Sequence, residues 1–124
     1  MGINAEDILF ASDTLMTTGV MTSEPCLRSA ASRAYYAVFH KAKEYAEKRG
    51  LQVDYSRLRK DPNSHEEVIF KFKHSSNSID RNIGYELNQL KLSRATADYD
   101  LGYDFKYGEA NTQICKAKSL IKRL

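Results

Sequence analysis

Residues 26–50 read CLRSAASRAYYAVFHKAKEYAEKRG, the longest unbroken helical pattern in the chain. At about 100° per residue, Leu27, Ala31, Ala34, Tyr35, Val38, Ala42 and Tyr45 fall on one face. Alanine predominates there, so a second helix can approach closely. Arg33 and His40 project nearly opposite, beside Ser29, Tyr36 and Glu44. Ser23, Glu24 and Pro25 start the helix, with serine as cap and proline tolerated in the first turn. Gly50 stops it after the basic Lys48 and Arg49. A helix of this kind is stable only where other helices cover its apolar side.

On the N-terminal side, Asn4 reads as a cap, and Ala5, Glu6 and Asp7 open a helix whose dipole favours the acids. Ile8, Leu9, Ala11, Ser12, Leu15 and Met16 carry its stripe to about Thr18, and Gly19, Val20, Met21 and Thr22 mark the break. On the C-terminal side, Leu51 to Asn63 has no clean period, and Asp61-Pro62-Asn63 is a turn signal. Ser64 with Glu67 reads as a capping box opening a short helix anchored by Val68, Ile69 and Phe72. After Ser75-Ser76-Asn77-Ser78, a stripe of Ile79, Ile83, Leu87, Leu90, Arg94 and Ala97 runs to ADYD at Ala97 to Asp100, despite Gly84 in mid-run. Leu101 to Gly108 reads as a loop, and Glu109 to Leu124 as the last helix, with Ile114, Ala117, Ile121 and Leu124 on one side. The expectation is a single domain over residues 1–124, an all-α four- to five-helix up-and-down bundle of four long helices and one short one.

Composition bounds the function. At 124 residues, with 42% hydrophobic and 28% charged residues, the chain is long enough for one core without metals or disulfides as props. The net charge of +3 permits an anionic partner without requiring one. Cys26 and Cys115 read as small core residues in a reducing compartment. No apolar run approaches the roughly 18 residues of a membrane helix, and the start lacks a signal pattern, so a cytoplasmic location and no membrane association are expected. His65 and His74, even with Glu66 and Glu67, lack zinc-ligand spacing, and no metal is expected. Neither a glycine-rich phosphate loop, a GxSxG elbow nor a paired-cysteine knuckle is present, and no cofactor is expected.

Three constellations could carry chemistry. Arg33 and His40 lie seven residues apart, about 20° short of two helical turns, so they share a face with Tyr36 and Ala37 between them. Arginine offers a fork of donors to a phosphate, and histidine can move a proton near neutral pH. The competing reading is a solvated polar face. Arg94, Asp98 and Tyr99 form the second group: either a modest surface ion pair, or an arginine held for phosphate at a helix end with tyrosine stacking or donating. Arg57, Arg59 and Lys60, beside Tyr55, form the densest basic cluster. Charge with an aromatic suits single-stranded RNA, while a short charge run also suits a plain solvated loop.

The string SRAYYAVFHKAKEYAE (Ser32 to Glu47), followed at a distance by LNQLKLSRATADYD (Leu87 to Asp100), resembles the HEPN superfamily of small helical domains. The likeness is to its short stand-alone bacterial and archaeal branch, with an alanine-rich RAYYAxFHxA helix before an RxxADYD segment, and it covers most of the chain. The resemblance implies a helical bundle that homodimerises, with a polar cleft at the interface. Many HEPN proteins are metal-independent RNA-cleaving toxins or phage-defence effectors in which an arginine, four to six residues and then a histidine lie near that cleft. Arg33 and His40 satisfy that spacing as the expected catalytic pair. Arg94, Asp98, Tyr99 and Tyr36, with Arg57, Arg59 and Lys60, are the expected RNA- or phosphate-binding residues. In active members the pair usually sits in a later helix, where this chain has Arg94 with Asp98 in the histidine's place. The expected partners are RNA or a nucleotide and a second copy of the chain, with either an antitoxin or a nucleotidyltransferase as a further partner. The alternative is a non-catalytic nucleotide- or RNA-binding module that works with a nucleotidyltransferase or another effector.

Overall fold

The computed structural model describes residues 2–17 and 23–124. The described chain is all-helical: α1 (Ala5–Thr17), α2 (Glu24–Arg49), α3 (Ser64–Lys73), α4 (Ser78–Tyr99) and α5 (Tyr107–Ile121), with one turn of 3-10 helix at Tyr55–Arg57. The break expected at Gly19 to Thr22, and Thr18 before it, lie outside the described residues. No helix is long and apolar enough to cross a membrane among those residues.

The helix ends follow local chemistry. The Asn4 side chain accepts from the Asp7 N–H at 2.8 Å while Asp7 accepts from the Asn4 N–H at 3.0 Å, a reciprocal cap. Gly50 adopts φ +66°, and Leu51 N–H reaches back to the Ala46 carbonyl at 3.0 Å, closing α2 in the way only a left-handed residue allows. Two caps differ from expectation. The Ser23 side chain makes no cap hydrogen bond. At α3 the cap is Asn63, not Ser64: its side chain accepts from Glu66 N–H at 2.9 Å, so the helix is entered one residue earlier. Asp61 just before it takes φ +56°, which fits the turn signal.

Helix α2 is the centre of the bundle and packs against all four other helices. Its buried arc is therefore wider than one stripe, adding Ala30, Ala37, Phe39 and Ala46 to the expected face, while Tyr45 is only half-buried. Small residues let α1 approach, and the Ser12 hydroxyl donates to the Ala30 carbonyl across that contact at 2.6 Å. Tyr35, Phe72, Ile83, Leu87 and Leu90 are essentially fully buried, each aliphatic one contributing about 1.5–3 kcal/mol. Gly84 explains itself: a Cβ there would meet the backbone nitrogen of Lys73 at 2.8 Å and Phe72 Cβ at 2.9 Å, so α3 crosses α4 closely.

Three further expectations are corrected. Ile79 is exposed, and Asp80 takes its place on the buried stripe of α4, accepting from Ser75 Oγ at 3.0 Å and pairing with Arg49 at 3.4 Å. A carboxylate in the first turn of a helix is favoured by the dipole, and its three-residue spacing to Ile83 keeps the period. The cysteines are not core residues: Cys26 is half-buried and Cys115 exposed, both as free thiols. Finally, α5 begins at Tyr107 and ends at Ile121, and Gln113 on it donates to the Leu90 carbonyl at 2.8 Å, tying α5 to α4.

Candidate functional site

Three elements converge around Arg94: the middle of α2, the first turn of α3, and the last turns of α4. The end of α4 is held by Arg28 of α2, whose guanidinium donates to the Thr96 and Ala97 carbonyls at 3.2 and 2.8 Å and also to the Tyr103 carbonyl. Glu24 accepts from Arg28 at 3.0 Å and from the Phe105 N–H at 2.9 Å. That backbone N–H and Arg28 hold the Glu24 carboxyl below the usual range. Carbonyls at a helix C-terminus have no partner within the helix, so this brace fixes where Asp98 and Tyr99 stand.

Arg94 is not a surface residue; its side chain is 8% exposed. Its guanidinium carbon lies 5.2, 5.6 and 5.7 Å from the ring centres of Tyr35, Tyr36 and Tyr99. Each such contact is worth about 0.5–2 kcal/mol, more as water is excluded. Asp98 stands 3.6 Å from Nη1 and also accepts from Ser32 Oγ at 3.1 Å, so its charge is shared between α2 and α4. The Nε–H of Arg94 is buried and has no hydrogen-bond partner among the described residues. A buried donor without an acceptor costs roughly 1–3 kcal/mol, which a ligand oxygen would recover. The ion pair of Arg94 with Asp98 expected from their four-residue spacing is present, but its arginine is buried and not on the surface.

His65 completes the cluster. Its Nδ1 is 2.6 Å from the Tyr35 hydroxyl, and its ring lies 4.2 Å from Phe39, 5.6 Å from Tyr35 and 5.9 Å from Tyr36. Burial lowers the His65 pKa below its ordinary value, and the positive charges of Arg94, Lys91 and His40 add to the effect. Burial likewise pushes the Tyr35 hydroxyl well above its usual range, so it keeps its proton throughout the neutral region. Neither Tyr35 nor His65 stands out in the sequence as a site residue. The signal for His65 was its spacing: His65, Val68, Ile69 and Phe72 recur at the positions of one helical face, which places the histidine on the buried side.

Tyr36, Arg94, Asp98 and Tyr99 are thus brought together. Arg33 and His40 are exposed and flank Tyr36 on α2, three residues before and four after it. His40 also lines a groove of about 630 Å³ with Asn4, Glu6, Lys41 and Glu44 at the start of α1. Of the basic loop, Arg59 is paired with Glu66 at 2.5 Å, which tethers the loop to the α3 turn carrying His65. Arg57 and Lys60 are exposed nearby in sequence and are not part of the Arg94 cluster. No group of three or more His, Cys, Asp or Glu converges as a metal site among the described residues. No family model, curated protein or solved structure matches this chain.

Proposed function

We propose that this chain is a HEPN-type, RNA-directed domain that works as a homodimer and cleaves RNA without a metal ion, as a toxin or defence component. The observation that carries this reading is the buried arginine Arg94, walled by three tyrosines and left with an unpartnered Nε–H. Such an arginine suits a phosphate, and the exposed ring of Tyr99 beside the half-buried Tyr36 suits a base. Arg33 and His40, flanking Tyr36 in solvent, supply a second phosphate donor and an unobstructed proton carrier. The 2′-hydroxyl attacks the adjacent phosphorus as the P–O5′ bond breaks, and His40 carries the hydroxyl's proton to the leaving 5′-oxygen, giving a 2′,3′-cyclic phosphate and a 5′-hydroxyl end. Tyr85, Leu92 and Tyr99, exposed at seven-residue intervals along α4, support pairing with a second copy.

One observation favours a second reading, a binding module that works with a nucleotidyltransferase or other effector. Asp98, where a histidine would stand, is engaged by Ser32 and Arg94 and cannot donate a proton as imidazolium does. Incubating purified protein with mixed RNA in EDTA separates the two. Cyclic-phosphate ends that vanish in His40→Ala support the ribonuclease. RNA binding without cleavage by the wild type supports the module.

A further inference from the structure

We propose that His65 and Arg94, both set against the rings of Tyr35 and Tyr36, form one phosphate subsite, and that a phosphate group enters it together with a proton taken up by His65. The inference rests on the RNA-directed reading above and adds a residue and a proton to it.

The two side chains border the same pair of rings. Arg94 lies 5.2 and 5.6 Å from the ring centres of Tyr35 and Tyr36, and the His65 ring lies 5.6 and 5.9 Å from them. Arg94 offers a buried Nε–H that no group among the described residues accepts. His65 sits in the first turn of α3, where the positive end of the helix adds to the field. The Tyr35 hydroxyl, 2.6 Å from Nδ1, can donate to a bare nitrogen or accept from a protonated one. Both states of the imidazole keep that bond, which leaves Nε2 as the ring atom for a ligand.

Charge decides the coupling. The groups facing His65 are His40 and the two tyrosines from α2, Lys91 and Arg94 from α4, and Glu66 on its own helix. Glu66 is occupied by Arg59, and Asp98 by Ser32 and Arg94, so the uncompensated charge around the ring is positive. In the free protein burial, and then these cations, disfavour the protonated form of His65. A phosphate on Arg94 offsets the positive charge of that guanidinium, and the imidazole then resists protonation less and gains a direct anionic partner. By linkage, affinity rises as pH falls, by at most about tenfold per pH unit.

The test is calorimetry on the full chain at pH 6 to 8 in two buffers of different ionisation enthalpy. The probes are a single-stranded RNA of about ten nucleotides with hydroxyl ends and adenosine 3′,5′-cyclic monophosphate, neither of which changes charge over this range. The expected result is uptake approaching one proton per RNA, tightening affinity toward pH 6, and loss of both uptake and pH slope in His65→Gln. The cyclic nucleotide arm shows whether a single phosphate suffices or a strand is required. Binding of RNA by the wild type with no proton uptake, or uptake that persists in His65→Gln, overturns the subsite and leaves the functional reading standing. Binding of neither probe at any pH overturns both. Should His65→Gln fail to fold, the His65 ring-proton titration in the wild type decides: its midpoint rises on saturation with RNA, and an unmoved midpoint overturns the proposal.

Discussion

The molecule holds two pairings of arginine with histidine, and they differ in almost every physical respect. Arg33 and His40 share one helix face and are exposed. Arg94 and His65 come from different helices, are brought together only by folding, and sit against the rings of Tyr35 and Tyr36. Tyr36 touches the second pair and stands between the members of the first. An exposed histidine can exchange protons with substrate and water at little cost. A buried arginine holds a phosphate more strongly, because its charge is less screened, but it must first be stabilised without one. On the proposed reading His40 moves the proton, Arg33 adds an exposed phosphate donor, and the second pair supplies the grip.

The comparison breaks most sharply at His40. Replacing it by alanine should lower RNA cleavage by about 10²–10⁴-fold with an unchanged melting temperature, since the side chain is exposed. A cleavage rate within a few-fold of wild type would transfer the proton role elsewhere. Arg94→Gln should weaken RNA binding by about tenfold or more and destabilise the fold by about 1–3 kcal/mol, read from urea unfolding. Gly84→Ala probes the packing beneath the site: overpacking against Lys73 and Phe72 should cost about 1–3 kcal/mol without touching either pair.

A pH effect sharpens the same contrast. His65 has its pKa lowered by burial and by neighbouring cations, so the unfolded chain binds a proton that the folded one resists. Its contribution to stability is complete above the ordinary value near 6.5 and is lost as pH falls through the lower folded value. Thermal unfolding should therefore show a larger drop in melting temperature from pH 7 to pH 5 for the wild type than for His65→Gln. The smallest effects belong to the loop. Arg57→Ala and Lys60→Ala should each reduce RNA affinity about two- to fivefold and lower the salt slope by nearly one.

Much of the fold was legible in the pattern of residues. The central helix, its glycine stop and the all-helical architecture follow from periodicity and end signals that act within a few residues. The misreadings have a common cause. Ile79 and Asp80 are adjacent and both fit the stripe, and Asp80 is the one met by Arg49 from α2 and by Ser75 in the turn before α4. Cys115 fits an apolar face by type, yet it is exposed on α5. The site divides in the same way. Arg33 and His40 are visible as spacing on one helix, and Arg94 with Asp98 as another. That Arg94 is buried, that Tyr35 is its wall and that His65 reaches Tyr35 are tertiary facts, and no spacing along the chain contains them.

The central claim is that Arg94 is a phosphate grip and not a packing residue. The most direct measurement is the affinity of single-stranded RNA for the wild type and for Arg94→Gln across a salt series, with both proteins shown to be folded by circular dichroism. The account predicts salt-dependent binding by the wild type and a loss of about tenfold or more in the variant. Equal affinities, or a wild type that does not bind RNA at low salt, would contradict it.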